Sequence, residues 1–147
     1  MGDCPFCLLA AGPVDRDLIA HRTTSVLVVP APRQRPRNRG HMLVLPRLHV
    51  TRLADVEGPL LQEIYGVAGR VALAARRAFG ATGATIFQND GAPDQVLHHV
   101  HVHVVPRRAG DGFRMPDPDK DDLCAGGGFA FVVANDGSLS VLRVARR

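Results

Sequence analysis

The 147-residue chain has no tryptophan, one tyrosine and six phenylalanines. Single-stranded nucleic acid is held on stacked aromatic side chains, so this scarcity argues against nucleic acid as the partner despite a formal charge of +4. Only three cysteines occur, Cys4, Cys7 and Cys124, whereas a disulfide-stapled secreted domain of this size carries a larger and even set. No run approaches the roughly 20 apolar residues of a membrane-spanning helix. The opening Met-Gly-Asp-Cys-Pro-Phe-Cys also lacks the basic stretch and apolar run of a secretion signal. A soluble, cytoplasmic protein with no membrane partner is expected. Acids are missing as well from residues 18–54, which hold Arg22, Arg33, Arg35, Arg37, Arg39, Arg47 and Arg52. That segment should attract anions, and a compact phosphate ligand suits it.

What is present reads as one domain of ordinary size. Short apolar stretches at 18–19 and 26–29, closed by Pro30 and Pro32, predict a strand or hairpin entering a loop. Alternating arginines leave no apolar stripe over 31–39, which predicts an exposed, irregular segment. A strand is expected at 41–45, stopped by Pro46. From Pro59 the residues Leu60, Ile64, Val67, Val71 and Ala75 fall on one helical face, with Pro59 in the first turn and Gly80 at the end. Gly66 and Gly69 each weaken such a helix by about 1 kcal/mol relative to Ala, so a close neighbour is expected over them. Residues 84–88 read as a strand, Asn89-Asp90-Gly91 as a turn, and 96–105 as a long strand ended by Pro106. After an acidic stretch containing Asp117, Asp119, Asp121 and Asp122, the segments 129–133 and 138–144 flank Asn135-Asp136-Gly137, a hairpin signature. The fold class is α+β, an antiparallel sheet with one long helix.

The run His99-Val-His101-Val-His103 carries the chemistry. In a strand the three imidazoles share one face, and Val100, Val102 and Val104 belong to the core on the other. Three readings arise. A solvent face would normally mix Lys, Glu, Thr and Ser. A single zinc shared by all three is strained, because roughly 3.3 Å per residue puts the outer pair about 13 Å apart along the backbone. The third reading is nucleophilic attack on phosphorus: a neutral imidazole forms a phosphoramidate that water then cleaves. That needs a fixed tautomer, and donors around the phosphate oxygens. Cys4-Pro-Phe-Cys7 fits metal or redox chemistry, or two free thiols at a frayed terminus, and His49, after Pro46, reads equally as a surface residue. His21, His98 and Cys124 receive no role.

Asn89-Asp-Gly91, then Gln95, then His99-Val-His101-Val-His103-Val-Val-Pro106-Arg107 resembles the signature of the histidine-triad (HIT) superfamily. Gly40-His41-Met-Leu-Val-Leu-Pro46-Arg-Leu-His49 is similar to that family's second recurring segment, and Cys4-x-x-Cys7 to a zinc-bearing subset. The resemblance runs from Cys4 to about Phe113. It implies a HIT-like antiparallel sheet with one long helix and a short N-terminal helix or turn. It divides the chain into a HIT-like domain, 1–112, and a C-terminal extension, 113–147, packed on the same domain. It implies His101 as the nucleophile on an α-phosphate, His103 on a phosphate oxygen, and His41 orienting the triad. Gln95 would lie near the leaving-group oxygen, with Asn89 and Gly91 in the phosphate loop. Cys4, Cys7, His49 and His99 would ligate one structural zinc, a Cys2His2 set with no open position. No organic cofactor is implied. The expected partners are a nucleotide or dinucleotide substrate and a second copy of the chain, joined through the long helix and an adjoining strand.

Two departures bear on substrate and rate. Family members place an acid that holds the ribose hydroxyls between the first strands and the Gly-His segment, and here the arginine stretch stands instead. It reads either as a solvated basic loop or as a contact for a second phosphate. Asp94 occupies a position where the family usually has Gly, and the 89–95 segment is one residue short. The reading is therefore a hydrolase or transferase acting on a nucleoside phosphoramidate or dinucleoside polyphosphate. The alternatives are a nucleotide-binding module with little catalysis, and a zinc hydrolase that uses the strand histidines directly.

Overall fold

A computed structural model describes residues 4–12, 18–114, 129–133 and 139–143. Helix α1, Pro5–Ala11, starts on a proline and buries Phe6 and Ala10 from one face. The strands β1, His21–Arg22; β2, Val26–Pro30; β3, Met42–Pro46; β4, Gly83–Phe87; and β5, Val102–Arg107 form one sheet in the order β1-β2-β3-β5-β4. Every neighbouring pair in it is antiparallel. Helix α2, Gly58–Phe79, follows a 3-10 turn at Leu53–Asp55. It ends where Gly80 takes φ 61°, the left-handed conformation that glycine adopts without strain.

Side-chain alternation assigns the two faces of the sheet to different cores. Val26 and Val28 of β2, Met42 and Val44 of β3, and Val102 and Val104 of β5 pack with Ile64, Val67, Ala68 and Val71 of α2. On the other face Leu27, Val29, Leu43 and Leu45 meet Phe6 and Ala10 of α1. Each fully buried Val or Leu stabilises the fold by about 1.5–3 kcal/mol. His101 and His103 follow the period of Leu43 and Leu45, not that of the valines, so they emerge on the α1 side. This is the division of faces expected for the histidine run.

Several expectations need correcting. The first strand lies at His21–Arg22, after 18–19. The long strand expected over 96–105 is confined to Val102–Arg107 and continues through Pro106. Upstream the backbone is diverted to the 46–51 segment: Val100 N donates to Val50 O at 2.7 Å and His99 N turns back to Leu97 O at 2.8 Å. The 31–39 segment is irregular as expected, yet Ala31 and Asn38 are buried. Gly66 and Gly69 have nothing within 4 Å of a Cβ position, so no described residue covers them. Strands β6, Phe129–Val133, and β7, Leu139–Arg143, pair antiparallel as the hairpin signature predicts. The Asn135-Asp136-Gly137 turn, the acidic stretch 117–122 and Cys124 lie outside the described residues. No helix among the described residues is long and apolar enough to cross a membrane.

Candidate functional site

The diverted backbone before β5 decides how the imidazoles are held. His101 Nδ1 lies 2.7 Å from the carbonyl oxygen of His99. A carbonyl only accepts, so Nδ1 carries the proton and Nε2 keeps its lone pair. His99 is fixed the other way round: Nε2 donates to Pro46 O at 2.9 Å, which leaves the lone pair on Nδ1. His103 Nδ1 and His41 Nε2 are 2.9 Å apart, so each ring sets the other's tautomer. His41 comes into range from the residue before β3, where Gly40 adopts φ 91° against the ring of Phe79, a place a Cβ would fill.

Aromatic rings fix the orientations. Phe6 of α1 meets His99 edge-on at 5.5 Å and His101 at 5.4 Å between centroids. Phe87, paired with His103 across β4 and β5, stacks on it at 4.5 Å and 8°. Burial pushes the pKa of His101 and His99 below the usual imidazole value, so the neutral form is favoured. His41 is lowered to about 3, chiefly by burial and then by the charges of Arg35 and His101, with a hydrogen bond to the Arg33 backbone acting in the opposite direction.

His99 Nδ1 points into a second group of side chains. It lies 3.5 Å from Cys4 Sγ and 3.7 Å from Cys7 Sγ, and Cys7 Sγ lies 3.2 Å from His49 Nδ1. All four ligand atoms fall within 4.8 Å of one another. A tetrahedral zinc with bonds of about 2.3 Å to sulfur and 2.0–2.1 Å to nitrogen sets S···N separations of about 3.6 Å. The donor set and its spacing therefore fit that ion, and Pro46 O supplies the outer hydrogen bond that orients a histidine ligand. His49 belongs to this group and is not merely a surface residue. The triad histidines do not converge on one point: His99 joins the thiols, His101 joins the carbonyl of His99, and His103 joins His41.

The 89–95 loop is built around Gln95, which is 4% exposed. Its Oε1 accepts from Gly91 N at 2.7 Å, and its Nε2 donates to Thr51 O at 3.0 Å. Gly91 has φ 92°, and a side chain there would collide with Arg52. Asn89 Nδ2 donates to Asp94 O at 3.3 Å, and the Asp94 side chain is exposed. Sequence reasoning missed Phe6, Phe87 and the Pro46 carbonyl as contacts of the imidazoles. Phe87 was the recoverable one, since pairing 84–88 with the histidine strand brings an aromatic beside a histidine. A separate cleft of about 440 Å³, lined by Thr24, Arg47, Glu57 and Glu63 among others, contains none of the histidines.

An antiparallel sheet that holds alternate imidazoles beside a Cys2His2 cluster defines a histidine-triad type of protein. The model of the HIT domain matches residues 16–110, and the chain belongs to that family. It is 34% identical over 126 residues to an uncharacterized HIT-like protein of Mycobacterium tuberculosis, spanning 80% of this chain and 85% of the relative. The crystal structure of a Zn-bound histidine triad family protein from Mycobacterium smegmatis superposes with a TM-score of 0.67 at 34% identity, over 81% of this chain and 84% of that one. An asymmetrical bis(5'-nucleosyl)-tetraphosphatase of Schizosaccharomyces pombe shares 34% identity over 73 residues, 49% of this chain and 40% of its own length.

The lowered pKa of His41 has a consequence for stability. Between pH 6.5 and about 3 the unfolded chain binds a proton at this residue that the folded chain does not. Stability from this group is complete above pH 6.5 and is lost as pH falls, by up to about 1.4 kcal/mol per pH unit. Arg35, His101 and His103 face the ring, and no acid among the described residues is recorded against it. Urea unfolding at pH 4.5 to 7 should show a shallower pH dependence for His41→Asn than for the wild type.

Proposed function

We propose that the protein is a nucleotidyl hydrolase or transferase that works through a covalent histidine intermediate. The hydrogen bond from His101 Nδ1 to the His99 carbonyl carries this reading, because it leaves a neutral ring with its Nε2 lone pair available. That lone pair forms an N–P bond to the α-phosphate of a nucleoside phosphoramidate or a dinucleoside polyphosphate. The P–N or P–O bond to the leaving group breaks, and the departing amine or phosphate takes up a proton. Water then attacks the same phosphorus, the N–P bond breaks, and a nucleoside monophosphate leaves with the imidazole restored. His103, its tautomer set by His41, donates to a phosphate oxygen. Asn89, Gly91 and Gln95 shape the loop that receives the phosphate.

His99 serves twice in this scheme, with its carbonyl on His101 and its ring among the thiols. Cys4, Cys7, His49 and His99 would hold one zinc that braces α1 and the 49–51 segment against the nucleophile's strand. With four protein ligands the ion has a structural role. A homodimer through α2 and β4 accounts for a stripe that no described residue covers: Tyr65 at 41% and Leu73 at 48% exposure flank Gly66 and Gly69, and Ile86 on edge strand β4 is 39% exposed. A cytoplasmic location accords with this chemistry. The engagement of Gln95 with Gly91 and Thr51 also favours a second reading, a nucleotide-binding module with little turnover.

His101→Ala or His101→Gly should abolish turnover of adenosine phosphoramidate while retaining nucleotide binding, and quenched wild-type reactions should contain acid-labile nucleotidylated protein. Binding of nucleoside monophosphate without turnover of any phosphoramidate or dinucleotide would select the binding-module reading instead. Atomic absorption should find about one zinc per chain in the wild type, and Cys7→Ala should lose it along with thermal stability. Leu73→Arg should convert a dimer into a monomer in sedimentation velocity, and a wild type that is already monomeric would remove the interface.

A further inference from the structure

The two sulfur ligands of the Cys2His2 cluster come from a single turn of chain, which sets them apart from the two nitrogen ligands. Cys4 immediately precedes α1 and Cys7 lies within its first turn, which Leu8 N closes onto Cys4 O at 3.1 Å. His49 and His99 arrive from segments distant in sequence. Both cysteines are free thiols, and their sulfur atoms lie within 4.8 Å of each other. A disulfide needs a Cα separation of about 4.4–6.8 Å, a span that residues three apart across a helical turn satisfy. A bridge between Cys4 and Cys7 therefore asks for rearrangement of that turn alone.

Exposure is unequal across the cluster. His99 is fully buried, whereas Cys4, Cys7 and His49 are each partly exposed. Leu8 and Leu48, next in sequence to Cys7 and His49, are exposed. The open side of the cluster is thus the side that carries the sulfurs. A cysteine that an oxidant reaches passes through a sulfenic acid, and a second thiol beside it diverts that species to a disulfide before irreversible acids form.

We propose that Cys4 and Cys7 form a reversible redox site, at which a peroxide closes a Cys4–Cys7 disulfide and the cluster thereby loses its zinc. This rests on the metal reading above and not on the nucleotide chemistry. One thiolate attacks the peroxide, the O–O bond breaks, and a cysteine sulfenic acid and hydroxide form. The second thiolate attacks that sulfur, the S–O bond breaks, and a second hydroxide leaves. The two sulfurs have given up two electrons, the peroxide has taken them, and two protons from solvent turn the hydroxides into water. His49 and His99 then remain as two neutral nitrogens in place of a four-ligand set with two anions, which falls short of a structural zinc site. A dithiol reductant reverses the bridge by exchange. Phe6 stands between the two cysteines in sequence and packs on both His99 and His101, so the thiol state and the seating of the His101 ring are tied through one side chain.

Titration of the zinc-loaded full chain with hydrogen peroxide, followed with a chromophoric zinc chelator, tests this. A few equivalents of peroxide should release about one zinc per chain, and alkylation under denaturing conditions should then find Cys4 and Cys7 blocked. The tryptic peptide that ends at Arg16 holds both of them and no other cysteine. It should be lighter by two hydrogens and recover its mass with dithiothreitol, after which added zinc should rebind. Cys124→Ser should behave in the same way. Retention of zinc with both thiols still open to alkylation overturns the site. So does zinc loss with a peptide made heavier by oxygen, or a bridge that involves Cys124. A chain that takes up no zinc would bring down the metal reading, and the mass of the same peptide would still decide the bridge.

Discussion

The hydrogen bond between His101 Nδ1 and the carbonyl of His99 is the contact on which the site depends, because it is made possible only by a backbone that has left the sheet. In a regular strand the carbonyl of His99 would point to a neighbouring strand. Here the β3–β5 ladder ends at Val44 and Val102, and just before it Val100 N donates to Val50 O. That diversion frees the carbonyl to orient a ring two residues on. It also turns the His99 ring toward Cys4 and Cys7.

Burying imidazoles is costly unless each finds a partner. An unmade hydrogen bond on a buried polar group costs about 1–3 kcal/mol, more than a made one contributes on average. His99 at 0% and His101 at 7% exposure are tolerated because each ring has a backbone carbonyl on one nitrogen. The same burial holds the rings neutral, as both nucleophilic attack and metal ligation require. One physical condition therefore suits both the Cys2His2 cluster and the proposed nucleophile, which are joined through His99 just before β5.

Charge is distributed with a similar economy. Asp111, the one buried acid among the described residues, is enclosed by Arg107, Asn38 and two backbone amides, which hold its carboxyl well below the usual carboxylate range. That network anchors the end of β5 and the arginine loop together.

Residue periodicity and type determined the α+β class, the long helix and its glycine stop, the split of valines and histidines between faces, and the family. These are local or pairwise properties of the chain, legible because alternation and helical spacing depend only on neighbours in sequence. The position of β5 was not legible, since Val96 to His101 have strand-like residues, and their departure from the ladder involves a distant contact, Val100 N to Val50 O, together with local turns. Nor was the enclosure of Asn38, Gln34 and Arg35, whose alternating sequence context reads as a solvated loop. Tertiary structure alone decided which nitrogen of each imidazole carries the proton, that Phe6 and Phe87 hold the rings, and that Cys4, Cys7, His49 and His99 meet. Each of those outcomes requires segments distant in sequence to approach within a hydrogen bond or a ring contact, and no local pattern encodes such a distance.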